Sequence, residues 1–143
     1  METLSHSQFL DRYLRTSQDE DGGFWYQCVD LAKLYAKEVL DTPLGSFGGS
    51  ARTGWFNTKK TFDHKKWEKI EWRPWIVPKQ GDIIFYDTGV SGHVAVVHEA
   101  NKLDIMVIEQ NAFSGNWDWK GYNQVNLSTK NDYKNVYWWY RKK

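Results

Sequence analysis

The hydrophobic positions change period partway along the chain. Over residues 5–15, Phe9, Leu10, Tyr13 and Leu14 share one face of a helix that Thr3 or Ser5 can cap. Residues 27–40 carry a second helical stripe of Cys28, Leu31, Ala32, Tyr35, Ala36 and Val39, ended by Pro43 and Gly45. A short third helix is expected around residues 50–56, after Gly48 and Gly49. From residue 67 the spacing becomes that of strands, at 67–72, 82–86, 93–99, 105–109, 119–126 and 136–141, with Pro74 and Pro78 interrupting after the first. Helices come first, and the strands that follow are joined by connections too short for crossover helices. The pattern predicts an α+β fold with an antiparallel sheet. No repeat or linker divides the 143 residues, so a single domain over 1–143 is expected.

Composition sharpens this picture in one respect. Nine Trp, eight Tyr and seven Phe supply much of the 41% apolar content, more large rings than one small core holds. Some are expected to line a groove, with Trp25, Trp55, Trp72, Trp75 and Trp117 the candidates; strand faces packed on a sheet are the other use. The net charge of +1 gives no whole-molecule field for nucleic acid or membrane. Lys59, Lys60, Lys65 and Lys66, and the run Arg141 to Lys143, read as solvated edges. Residues 1–10 lack the apolar core of a signal peptide, and no stretch approaches the roughly 18 apolar residues of a membrane span. Synthesis in a host cytoplasm without a signal peptide, and no membrane insertion, are the expectations.

One cysteine excludes an internal disulfide and leaves either a buried filler or a reactive thiol. Its position favours the thiol. Cys28 falls in the first turn of the second helix, where unpaired N–H groups and the positive end of the dipole favour an anion. The same N–H groups suit an oxyanion, with the Gln27 side chain a further donor and Trp25 near enough to touch substrate.

A nucleophilic cysteine needs an imidazole partner. Of four histidines, His6 and His64 are expected to be solvated bystanders, and His98, odd in number from His93, to face the other side of the sheet. His93 opens an apolar strand after the small residues Gly89, Val90, Ser91 and Gly92, and suits a general base. If Glu109 ends the antiparallel neighbour of that strand, the two side chains meet at one sheet edge. Asn111 lies two residues on. An exposed strand-end glutamate is the other reading.

The loop before Cys28 runs Asp19-Glu20-Asp21-Gly22-Gly23, and Asp30 follows the cysteine. Asp-x-Asp-Gly wraps oxygen ligands around calcium, though the glutamate at the twelfth position of an EF-hand is absent. A solvated acidic turn is the alternative.

Taken together, these segments resemble the CHAP family of cysteine, histidine-dependent amidohydrolases/peptidases found in phage endolysins and bacterial autolysins. The matching pieces are Asp19-x-Asp21-Gly22, Gln27-Cys28-x-Asp30, Gly48 to Arg52, Gly81-Asp82-Ile83, Gly92 to Val97 and Glu109-Gln110-Asn111, in that order. The resemblance implies a papain-like fold, helices on a roughly six-stranded antiparallel sheet, and cleavage of an amide bond in bacterial peptidoglycan. It makes Cys28 the nucleophile, His93 the base, and Glu109 and Asn111 the orienting groups. Members with the acidic loop bind calcium, which here implies Asp19, Asp21 and Asp30 side chains with the carbonyls of Gly23 and Trp25. Such enzymes act on the wall after release or as part of a virion, and often with a separate wall-binding module or subunit. A non-catalytic, aromatic-rich wall- or glycan-binding module and a papain-like cysteine protease of another substrate are the rival readings.

Overall fold

The computed structural model of the chain describes residues 3–16, 28–45, 51, 61–87, 92–110, 125–130 and 133–143. Helix α1 spans His6–Tyr13, shorter than the periodicity predicted. Ser5 caps it reciprocally: its hydroxyl accepts from the Gln8 amide, and the Gln8 side chain accepts from the Ser5 amide. Helix α2 spans Cys28–Glu38 and buries Leu31, Ala32, Tyr35 and Ala36 along one stripe, as its spacing demands. Of the third helix expected around residues 50–56, only Ala51, helical and buried, is described.

The strands are β1 (Trp67–Glu71), β2 (Ile83–Tyr86), β3 (His93–Ala100), β4 (Ile105–Glu109), β5 (Asn126–Lys130) and β6 (Val136–Lys142). They form one antiparallel sheet in the order β1-β6-β2-β3-β4-β5, and the fold is α+β as predicted. Helix α2 packs on β3. One apolar layer joins Phe9, Leu31, Tyr35, Phe62, Phe85, Val94, Val96 and Tyr140 between helices and sheet. The alternate residues Ile84, Ala95, Val97, Val107 and Trp139 form a second layer on the opposite face, with Ile76 and Tyr133 packed on it. The central strands are therefore covered on both sides, which is why β2 is buried throughout and His93 to Val97 form a buried run rather than an alternation.

The fifth strand departs from expectation. It begins at Asn126, where the sequence reading ended it; residues 119–124 lie outside the described part of the chain. Its sequence, Asn-Leu-Ser-Thr-Lys, occupies a sheet edge and alternates partly buried with exposed positions, so it carries almost no apolar signal.

Two positions outside the elements shape their ends. The Asn101 side chain closes the β3–β4 turn by accepting from the amides of Leu103 and Asp104, both at 2.8 Å. Gly92 has φ of 68°, a left-handed conformation that glycine adopts without strain, and it turns the backbone directly into His93.

Arg141 is not the solvated edge residue that its basic neighbours suggested. Its guanidinium donates to both oxygens of the buried Asp82, at 2.9 and 2.7 Å, because a carboxylate 2% exposed needs a partner. His6 also departs from expectation. It is partly buried, with Nδ1 2.7 Å from the Tyr35 hydroxyl and Nε2 2.8 Å from Nδ1 of His98. The helix leans on the sheet at this point, which withdraws His6 from solvent while Ser7 and Gln8 of the same turn stay exposed. His64 is exposed, as expected.

Candidate active site

Cys28 is the first residue of α2, so the unpaired amides of that terminus surround it. The thiol is partly buried. His93 opens β3, hydrogen-bonds Glu109, and feels Cys28 at its other side strongly enough to shift its pKa. Its Nε2 lies 2.7 Å from Oε1 of Glu109, which leaves Nδ1 for the thiol. The sheet brings this about. Val96 pairs with Ile108, so the start of β3 and the end of β4 fall at the same edge.

Both members of the pair are buried, with His93 7% and Glu109 2% exposed. Burial disfavours a charged imidazole, but the hydrogen bonds to Cys28 and Glu109 and the charges of both outweigh it. The His93 pKa is pushed up to about 9. Burial would likewise raise the Glu109 carboxyl. The hydrogen bond from His93, the charges of His93 and Lys130 and a hydrogen bond from Ser128 instead draw it down to about 2. At neutral pH the pair is an imidazolium against a carboxylate.

The second carboxylate oxygen is occupied as well: Lys130 Nζ lies 3.0 Å from Oε2. Sequence reasoning missed Ser128 and Lys130. The signal was present, since Asn126, Ser128 and Lys130 alternate along one strand and Glu109 pairs with Asn126. It became readable only once β5 was placed at its true start. Tyr86, paired with His93 across β2 and β3, sets a second ring beside the imidazole at 6.2 Å between centroids.

His98 takes no part in this cluster; it turns to His6 and the helix side of the sheet. Asp30 is buried in the first turn of α2, 1% exposed. The other candidate metal ligands, Asp19, Asp21, Gly23 and Trp25, lie outside the described residues, as do Gln27 and Asn111. Among the described residues no group of three or more His, Cys, Asp or Glu side chains gathers as a metal site. Trp72 and Trp75 are exposed, and Trp72 lies against Tyr133, which packs on the layer away from the helices. Trp55 and Trp117 are outside the described part. No described helix is long and apolar enough to cross a membrane.

The chain is similar to known proteins in sequence and in fold. The CHAP domain model matches residues 18–111, about two thirds of the chain. Endolysin PlyTW of Staphylococcus phage Twort is 29% identical over 139 residues, covering 90% of this chain and 27% of the endolysin. The crystal structure of the wild-type endolysin LysIME-EF1 superposes with a TM-score of 0.69 at 17% identity, over 93% of this chain and 60% of that one. The chain thus spans about a quarter of the first protein and three fifths of the second.

Proposed function

The chain belongs to the CHAP domain family, and on that footing we propose that it hydrolyses an amide bond of bacterial peptidoglycan. The bond is the muramoyl–L-alanine amide or one in the stem or cross-bridge peptide. The observation that carries this reading is the buried His93–Glu109 pair, 2.7 Å apart, whose imidazole is coupled to Cys28 at the start of α2.

The chemistry is acyl transfer. The Cys28 thiolate attacks the carbonyl carbon, and the charge on the carbonyl oxygen is met by amides at the start of α2, with the Gln27 side chain a further donor. His93 gives its proton to the leaving nitrogen as the C–N bond breaks, leaving a thioester. Neutral His93 then takes a proton from the water that attacks the thioester. The C–S bond breaks, the thiolate returns and a carboxylate leaves. Glu109 holds the ring oriented and stabilises its charged form; Asn111 is proposed to assist from the end of β4, and Trp25 to contact the substrate.

We also propose that the acidic loop binds calcium as a structural ion. Asp30 supports this, because a carboxylate 1% exposed beside the nucleophile is the hard oxygen donor that calcium takes. Asp19 and Asp21 would complete the side-chain ligands, with the carbonyls of Gly23 and Trp25. The ion would fix the loop ahead of Cys28.

The test is turbidity of purified Gram-positive cell walls with wild type and Cys28→Ala, casein serving as a protein substrate. Clearing by wild type alone, with casein intact, is the expected result. Cleavage of casein would favour a general cysteine protease. Wall binding without clearing by either form would favour a silent binding module.

A further inference from the structure

The Glu109 carboxylate is more fully engaged than the reaction requires. Orientation of His93 uses one oxygen, Oε1. The other is held by the Lys130 ammonium at 3.0 Å. A glutamate side chain has three rotatable bonds, and a carboxylate anchored through one oxygen can swing about the last of them. Two fixed oxygens cannot both turn.

The strand geometry accounts for the reach of the lysine. Glu109 pairs with Asn126, and Ser128 and Lys130 follow at alternate positions of β5. The Lys130 side chain, 32% exposed, runs back past Ser128 to the carboxylate. Charge gives a second reason for its presence. When the thiol proton sits on His93, the row Cys28, His93, Glu109, Lys130 alternates minus, plus, minus, plus and sums to zero. Without Lys130 a buried row would carry a net negative charge.

We propose that Lys130 is a positioning residue for this site: it fixes Glu109 so that Oε1 stays on His93 Nε2. The inference rests on the hydrolase reading above but is tested in part without it. Lys130→Met should lower the maximal rate of cell-wall clearing about tenfold, the worth of one charge-assisted hydrogen bond expressed in the transition state. The wall concentration giving half the maximal rate should not change. Lys130→Arg should retain most of the rate. In a Glu109→Gln background Lys130→Met should cost nothing further, since its partner is gone.

The second readout is the downfield proton resonance of the His93 imidazole N–H. It should be sharp in wild type, lost in Glu109→Gln and broadened in Lys130→Met. If Lys130→Met does not fold, Lys130→Gln is judged by the same two measurements. Wild-type clearing and an unchanged resonance in the folded variant would overturn the proposal, as would an equal loss of rate in the Glu109→Gln background. If wild type clears no walls, the hydrolase reading fails, and the resonance alone still decides whether Lys130 holds Glu109.

Discussion

His6 and His98 stack with 5.1 Å between ring centroids and share one hydrogen bond of 2.8 Å between Nε2 of the first and Nδ1 of the second. Only one of the two nitrogens can carry the bridging proton, so the contact requires a neutral acceptor.

Acid should loosen this contact. Burial and then the neighbouring His98 hold the His6 pKa down at about 4, below its ordinary 6.5. The unfolded chain binds the proton more readily, so the stabilisation is present above about pH 6.5 and is lost as pH falls towards 4. His6 also faces Tyr35, whose hydroxyl is pushed above its normal range by burial and then by Asp82, so the tyrosine stays neutral throughout. Thermal melting of wild type should drop by a few degrees across that window beyond the change seen in His6→Gln. Parallel curves for the two proteins would contradict the assignment.

Alkali acts on the other histidine. His93 is raised to about 9, so the folded state holds its proton more tightly than the unfolded chain. That contribution is complete below pH 6.5 and disappears as pH rises through about 9. Clearing of walls should fall over the same upper range, because a neutral imidazole cannot protonate the leaving nitrogen. A rate that stays flat well past pH 9 would place the proton donor elsewhere.

Removing Arg141 should cost more than a surface residue would. Arg141→Met strips the buried Asp82 carboxylate of both guanidinium hydrogen bonds and leaves it the Lys79 amide at 2.8 Å. Loss of one partner of a buried ion pair costs about 3 kcal/mol. Urea unfolding of Arg141→Met, Asp82→Asn and the double variant checks this, and the double variant should lose less than the two single ones together.

Calcium removal tests the loop ahead of α2. A chelator should lower both clearing and melting temperature, and added calcium should restore them. Asp21→Ala should lose activity that excess calcium partly recovers. Identical behaviour of wild type with and without chelator would rule the ion out as a structural element.

Much of this architecture was legible in the sequence because the central strands are strongly apolar and bounded by turn residues. The apolar run 105–109 coincides with β4, and counting along β3 and β4 brings His93 and Glu109 to one edge. What escaped was held by tertiary contact. β5 has a polar edge sequence, and its start could not be seen without its partner strand. The Asp82–Arg141 pair joins residues 59 positions apart, and His6 meets His98 across 92. Local periodicity carries no trace of such encounters.

The turn closed by Asn101 has a practical consequence. It lies at the far end of β3 from His93, about 25 Å away at the ordinary rise of an eight-residue strand. Leu103 at its tip is 74% exposed. The scaffold thus offers a splice point remote from its chemistry. A peptide inserted between Lys102 and Leu103 would open the Asn101 turn and should leave the spacing of Cys28, His93 and Glu109 unchanged.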